Sequence, residues 1–491
     1  MPLNKNTLAV VLAAGKSTRF NTKKCKLLYT VCGQPMILYP LKVLNQLKID
    51  STLIIGYQAD KIKQTIKNAR IKNVSFAIQE EQLGTGHAVR FSKNYWNKEN
   101  ILILNGDSPL LKKDIIQNLL NMHADKKADV TFLSAHALNP FGYGRVIKTD
   151  TKIEIVEDKD CNEDQKFTTL INAGVYLFTK KFLEKNIDLI KKSSKSGEFY
   201  ITDLVNLASS QNLKVQTIPV AYDDIRGVNT LEELWAVEQV KRSELMKYWM
   251  LKGVRFDLAQ SIHLDYDVEI GTGSFIGAGT LLLKGTKIGK NCNVSALSII
   301  EDSIIGDNSN IRSHSIIQQS KIGENSIIGP FARLRKDVII GDNVEVGNFV
   351  EIKNSKIDNG TKLKHLSYIG DSKIGKSVNI GAGTITCNYD GFEKHETTIE
   401  DGVFVGSNNT IIAPIKISSE AYTAGGSTIT KDVPSKSLAI ARAKQENKRD
   451  YASKIKKNNT KSKTKKTSKN QNNLTLNFIG AVKDKESERV L

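Results

Sequence analysis

From Val268 to Val433 an Ile or Val followed by Gly keeps returning: Ile270-Gly271, Ile276-Gly277, Ile288-Gly289, Ile305-Gly306, Ile322-Gly323, Ile328-Gly329, Ile340-Gly341, Val346-Gly347, Ile374-Gly375, Ile380-Gly381 and Val405-Gly406. The steps are mostly six residues or a multiple of six, with slips of one near Ile305 and Ile374. An amphipathic helix brings its apolar positions back every three or four residues and cannot carry this period. Short parallel strands can, each with one apolar residue pointing inward and a Gly or small polar residue turning the corner. Three such units close one triangular coil, so about 165 residues wind into roughly nine coils. At about 4.8 Å per coil they predict a prism about 40 Å long.

A chain of 491 residues has room for two or three domains, and the segment before the repeats is organised differently. Thr7 to Leu12 is a continuous apolar run that breaks into Ala13-Ala14-Gly15-Lys16-Ser17-Thr18-Arg19. A buried strand ending in a small-residue loop with cations is how an α/β sheet presents backbone N–H groups to phosphates. Strand and helix signals then alternate: helix over Pro35 to Leu47, strand over Ser51 to Gly56, helix over Asp60 to Asn68, strand over Val74 to Gln79. Gly84-Thr85-Gly86-His87-Ala88 opens another helix, and the strand Ile101 to Leu104 ends in Asn105-Gly106-Asp107. This alternation predicts a doubly wound, Rossmann-like parallel sheet that binds its ligands outside the carboxyl ends of the strands. The loop matches neither G-x-G-x-x-G nor G-x-x-x-x-G-K-[ST], which argues against a dinucleotide enzyme or a P-loop NTPase. Thr230 to Leu251 keeps helical apolar spacing, with Thr230 as N-cap, Glu233 as its box partner and Gly253 closing the helix.

Taken in order, Leu12-Ala-Ala-Gly15, Arg19, Lys26, Gln79, Gly84-Thr85-Gly86-His87-Ala88, Asn105-Gly106-Asp107, Gly142-Tyr-Gly-Arg145, Val156-Glu-Asp-Lys159, Ile171-Asn-Ala-Gly174, Gly197-Glu-Phe-Tyr-Ile-Thr-Asp203 and Gly227-Val-Asn229 resemble sugar-1-phosphate nucleotidylyltransferases. With the repeats, the resemblance extends to about Arg442. It points to the bifunctional family that joins N-acetylglucosamine-1-phosphate uridylyltransferase to glucosamine-1-phosphate N-acetyltransferase. That resemblance implies an α/β nucleotidyltransferase domain over 1–229, a linker helix over 230–252, an acetyltransferase β-helix over 253–446, left-handed, and a basic, disordered tail over 447–491. It implies synthesis of UDP-N-acetylglucosamine in two steps, acetyl-CoA first acetylating glucosamine-1-phosphate and UTP then coupling to N-acetylglucosamine-1-phosphate with release of pyrophosphate.

The site residues follow from the same resemblance. Leu12, Ala13, Ala14, Gly15, Arg19 and Lys26 would take the nucleotide, and Gln79, Gly84 and Thr85 the uracil. Gly144, Glu157, Asn172 and Asn229 would line the sugar nucleotide, and Asp107 with Asn229 would hold Mg²⁺. The metal needs only a few protein oxygens, because it keeps waters and substrate phosphates as ligands. In the β-helix, Arg333, Lys353, Tyr368, Asn379, Asn388 and Tyr389 would bind glucosamine-1-phosphate. Ala382, Ser407, Gly425 and Arg442 would bind acetyl-CoA. His365 would be the general base, a role suited to an imidazole near neutral pH. The sequence departs from the family pattern at Ser17, at Cys25 where Pro is usual, at Asn105 where an aromatic is common, and at Gly425, often Ala.

The net charge of +19 is uneven: from Lys444 onward fourteen Lys and Arg face five acids. A tail of Lys, Asn, Ser and Thr with few aromatics to stack bases predicts a solvated extension, not a nucleic-acid site. Cys25, Cys32, Cys161, Cys292 and Cys387 have no metal-ligand spacing and predict free thiols in a reducing compartment. No run approaches the ~20 apolar residues of a membrane span, and the apolar N-terminal stretch is too short for a leader. The expected location is the cytoplasm, the expected assembly a homotrimer. Two alternatives stay open: a nucleotidylyltransferase whose β-helix is a non-catalytic trimerising scaffold, and an interaction protein working through its basic tail.

Overall fold

The structure, a computed structural model, describes residues 3–458 apart from Ser17 and Thr151. Most of the basic tail lies outside the described residues. The chain divides into two units, 1–440 and 441–491. In the second, residues 441–458 are exposed throughout, Arg442 included.

The N-terminal part of the first unit is built on a sheet ordered Val215–Pro219, Val130–His136, Leu170–Thr179, Asn100–Asn105, Thr7–Ala13, Asp50–Ile55, Val74–Ile78. Thr7–Ala13 lies inside the sheet, parallel to both neighbours, and its residues from Leu8 to Val11 are almost wholly buried. Apolar clusters cover both sheet faces, so the inner strands are apolar on both sides and read as largely continuous hydrophobic runs. The sheet is mixed, not all parallel as the alternation predicted. Leu170–Thr179 runs antiparallel to both its neighbours, and a hairpin of Arg145–Lys148 and Ile153–Val156 extends from it. Strand direction is set by connections far along the chain, and local alternation carries no signal for it.

The helix Leu231–Leu251 starts with the capping box anticipated from sequence: Glu233 N donates to Thr230 Oγ1 at 3.1 Å, and Thr230 N donates to Glu233 Oε2 at 3.0 Å. Gly253 ends it with φ +83, where a Cβ would meet Thr272 Oγ1 at 2.6 Å. Its apolar side chains serve two cores. Leu234 and Val237 pack with the sheet domain's Phe20, Val31 and Tyr39, while Met246 and Trp249 pack on the first coils of the prism.

The repeats wind into three parallel sheets of 11, 10 and 9 strands. That is nearer ten coils than nine, because Arg255–Phe256, His263–Leu264 and Leu438–Ala439 also form ribs although they lack the Ile/Val-Gly signature. Ile276, Val294, Ile311, Ile328, Val346, Leu363, Ile380 and Val405 stack as one inward column, each buried. At one corner Leu297, His314, Phe331, Phe349 and Leu366 all adopt positive φ. Four of these are exposed apolar side chains, in a conformation that disfavours bulky residues. His314, Phe331 and Phe349 stack along that corner with centroids 4.8 and 5.4 Å apart.

Candidate functional site

Three central strands end level, because Leu12 pairs with Ile54 on one side and Asn105 on the other. The loops that leave them are tied back to this edge. Gly106 N donates to Leu12 O at 2.9 Å and Gln79 N to Ile55 O at 2.9 Å. Gly84, with φ +108, lies so close to Phe199 that a Cβ would meet its carbonyl oxygen at 2.5 Å. Phe199 N donates to Leu83 O and Gly86 N to Phe199 O, both at 2.8 Å, which fixes the Gly84-Thr85 turn.

Two cavities open on this edge. One of about 540 Å³ is lined by Leu12, Ala13, Ala14, Gly15, Lys16, Arg19, Lys26, Gln79, Gly84 and Thr85, every residue expected at the nucleotide and its base. The other, about 270 Å³, takes in Gly144, Glu157, Asn172 and Asn229. Arg19, Thr85, Asn105 and Asp107 belong to both, so the two cavities meet at Asp107. Lys26 Nζ contacts Asp107 Oδ2 and donates to Asn229 Oδ1 at 3.0 Å, while Arg19 Nη2 donates to the same Oδ1 at 3.1 Å. Asn229 is held by the helix cap beside it, its backbone N donating to Glu233 Oε2 at 2.5 Å.

In the smaller cavity, burial pushes the Glu157 carboxyl up, and the Thr202 hydroxyl, donating to Glu157 Oε1 at 2.8 Å, pulls it back. Asn172 Nδ2 donates to Tyr176 OH at 2.5 Å, and Asn172 Oδ1 accepts from Gly174 N at 3.1 Å. Arg145, buried, pairs with Asp158 at 2.9 Å and donates to Tyr143 O, clamping the segments that carry Gly144 and Glu157. Sequence reasoning gave no role to Thr202, Tyr176 or Arg145. Thr202 and Arg145 lie within motifs it had singled out, but their partners are visible only once the segments pack. Of the departures, Cys25 is buried with its N donating to Gln58 Oε1 at 3.2 Å. Asn105 fits against Gly174, where a Cβ would meet its Nδ2 at 2.5 Å.

On the prism, His365 is exposed and its Nδ1 lies 2.9 Å from Asn348 Oδ1. An amide oxygen only accepts, so Nδ1 carries the proton and Nε2 keeps a lone pair for a substrate. Asn348, which sequence reasoning missed, sits one coil before His365 in register. Two residues past the paired Val346, Leu363, Ile380, Val405 and Thr423, the same corner steps through Asn348, His365, Ala382, Ser407 and Gly425. The proposed base and three proposed coenzyme residues therefore form one column. Asn379 lies beside it, paired with Lys362 and Phe404.

Arg333 and Tyr368 fall on the adjoining sheet, both in register with Glu351. Lys353 ends that sheet's rib and faces the next corner, where a cavity of about 690 Å³ gathers Lys336, Lys353, Lys373, Lys394 and His395. Lys394 beside it lowers the Lys353 ammonium, with burial adding to the effect. Lys394, which sequence reasoning missed, comes from an insertion: the step from Leu363 to Ile380 is 17 residues and that from Ile380 to Val405 is 25. Asp390 folds this loop, accepting from Phe392 N at 2.8 Å and Glu393 N at 2.7 Å, with His395 Nε2 2.7 Å away. Those contacts hold the Asp390 carboxyl well below the usual range. Asn388 is buried against Asp371, and Tyr389 is exposed. Within one chain, His365 and Lys353 thus stand at different corners.

The paired cavities on an α/β sheet edge, joined to a ribbed prism with its own polar column, define a nucleotidyltransferase fused to a hexapeptide β-helix. A family model described as nucleotidyl transferase matches residues 8–250, and one described as the GMPPB C-terminal domain matches 258–346. The bifunctional protein GlmU of Clostridioides difficile is 39% identical over 445 residues, covering 90% of this chain and 96% of that protein. GlmU of Thermotoga petrophila is 41% identical over 441 residues, 89% and 96%, and that of Exiguobacterium sibiricum 38% over 452 residues, 91% and 100%. The chain belongs to the bifunctional GlmU family. It is an enzyme of UDP-N-acetylglucosamine synthesis, with acetyl transfer and uridylyl transfer in one polypeptide.

Proposed function

We propose that residues 1–229 carry uridylyl transfer, that the prism over 253–446 carries acetyl transfer, and that the helix over 230–252 joins them, with 447–491 needed for neither. The observation that carries the first half is the meeting of the two cavities at Asp107. There a phosphate oxygen of N-acetylglucosamine-1-phosphate attacks the α-phosphorus of UTP, the bond to the β-phosphate breaks, and pyrophosphate leaves. Arg19, Lys26 and Lys16 neutralise the charge on the phosphates, and Gln79 with Gly84-Thr85 reads the base. Glu157, Asn172 and the Gly144 backbone orient the sugar. The chemistry is mostly positioning and charge compensation.

The family uses a divalent metal. Asp107 Oδ2 and Asn229 Oδ1 converge on one ammonium, so two hard oxygen donors point at one spot. Such a pair fits Mg²⁺, which takes one or two protein oxygens and fills the rest with water and phosphate. Bound there, it supplies neutralisation of the triphosphate oxygens.

In the prism, the amine of glucosamine-1-phosphate attacks the thioester carbonyl of acetyl-CoA, the C–S bond breaks, and the amine proton passes to His365 Nε2. Arg333, Lys353 and Lys394 grip the phosphate, Tyr368, Asn379, Asn388 and Tyr389 the sugar, and Ala382, Ser407, Gly425 and Arg442 the coenzyme. Because His365 and Lys353 stand at different corners, the site is completed between copies in a homotrimer, and the exposed Phe331, Phe349 and Leu366 supply apolar surface for that contact. The five free thiols support a cytoplasmic location.

The test pairs two variants. Asp107→Ala should lower pyrophosphate release at least a hundredfold and leave CoA release with glucosamine-1-phosphate intact, and His365→Ala should do the reverse. Loss of both activities in either variant would end the two-site division, and no CoA release from the unmodified protein would make the prism a passive scaffold.

A further inference from the structure

Gln79 is only 2% exposed, yet it lines the nucleotide cavity. A carboxamide is nearly two-fold symmetric in shape, so by itself it offers a ligand either oxygen or nitrogen. Here Gln79 Nε2 lies 3.0 Å from His87 Nδ1. The imidazole is held in turn. It stacks on Phe199 with centroids 6.0 Å apart and planes 25° apart, and meets Phe91 edge-on at 5.1 Å. Phe199 is pinned through both its backbone N and its O, and Arg90 covers its ring at 4.8 Å. The ring that faces the amide is therefore held in place before any nucleotide arrives, and with its proton on Nε2 it offers Nδ1 to the amide as an acceptor.

We propose that His87 is a specificity-determining positioning residue: by accepting from Gln79 Nε2 it holds the amide in the one orientation that suits uracil. The inference rests on Gln79 reading the base. Uracil presents an N3–H donor between two carbonyl acceptors; cytosine presents an N3 acceptor beside an amino donor. With Nε2 tied to the ring, Gln79 Oε1 is left to accept from uracil N3–H. Cytosine would set N3 against that oxygen, acceptor to acceptor. A flipped amide would serve cytosine, but the flip would turn Oε1 onto the lone pair of His87 Nδ1.

The experiment is the ratio of kcat/KM for UTP to that for CTP, which is independent of the active fraction. His87→Phe keeps an aromatic ring on Phe199 without the acceptor, and the ratio should fall about tenfold. His87→Asp keeps an acceptor without the ring, and the ratio should stay within about threefold of the unmodified enzyme. Were His87 only packing, the order would be the opposite, and that order overturns the proposal. If His87→Phe yields no folded chain, His87→Asp decides alone: a retained ratio supports the lock and a tenfold fall refutes it. Gln79→Ala separates the layers. An unchanged ratio there removes Gln79 as the base reader, whereas collapse there with an intact ratio in His87→Phe removes only His87.

Discussion

Replacing Thr202 by Val takes one hydroxyl from a carboxylate and leaves the volume nearly unchanged. Thr202 is almost fully buried at the start of the helix Thr202–Ser210, and it donates to Glu157 Oε1 at 2.8 Å. Burial raises the Glu157 carboxyl, and this hydroxyl lowers it, against Asp203, Asp160 and Glu198, which raise it. A hydrogen bond to a charged group is worth about 1.5–3 kcal/mol, so the ionised form of Glu157 loses about that much, with the lower figure favoured because Glu157 also faces an open cavity. The sign is upward: a donor to the ionised form is lost, so protonation becomes easier. If ionised Glu157 accepts from the sugar hydroxyls, the acid limb of kcat/KM for N-acetylglucosamine-1-phosphate moves to higher pH. Pyrophosphate release from pH 5 to 9 measures it, and acetyl transfer by the same preparation is the control. A profile superimposable on that of the unmodified enzyme would refute the coupling, and a uniform loss at every pH would mean that Thr202 acts on the fold, not on the Glu157 charge.

Other substitutions read other parts of the molecule. Asn348→Ala removes the 2.9 Å partner of His365 Nδ1; acetyl transfer should fall about three- to tenfold, the worth of one exposed hydrogen bond, with uridylyl transfer unchanged. A loss as deep as that of His365→Ala would mean that Asn348 touches substrate itself. Ile352→Ala empties a wholly buried position in a middle coil and should cost about 2–5 kcal/mol, seen as lower thermal stability of the prism; a change under about 1 kcal/mol would mean that the neighbouring ribs close the gap.

Much of this architecture could be read from the order of residues. The Ile/Val-Gly period marks the inward column because most ribs have a single buried position, and Thr230 with Glu233 marks a helix start because the box is purely local. The loop after Leu12 and the Asn105-Gly106-Asp107 turn could be placed together once parallel strands were assumed. The direction of Leu170–Thr179 could not, since pairing with Asn100–Asn105 and Val130–His136 is decided by the whole sheet. Neither could the contacts of Thr202 with Glu157 or His87 with Gln79, which depend on how separate segments lie. Asn348 is an instructive miss. It stands 17 residues before His365, one coil in a fold whose pitch was already known, so the signal was present. The separation of His365 from Lys353 by one corner was readable in the same way, from their positions relative to Leu363 and Ile352.

The insertion between Cys387 and Thr397 lengthens one turn of the prism, yet the ribs on either side keep their pairing, Ile374 with Ile399 and Ile380 with Val405. Extra length is extruded sideways at a corner, and the spacing along the axis is left alone. Such a scaffold behaves like a notched rule. A loop can be swapped or enlarged to reshape one wall, whereas removing a whole coil between His365 and Ser407 would draw the contacts proposed for the coenzyme one notch closer to the proposed base. Variation is thereby split into two independent kinds, one adjusting the wall of the pocket and the other the reach between acyl donor and base.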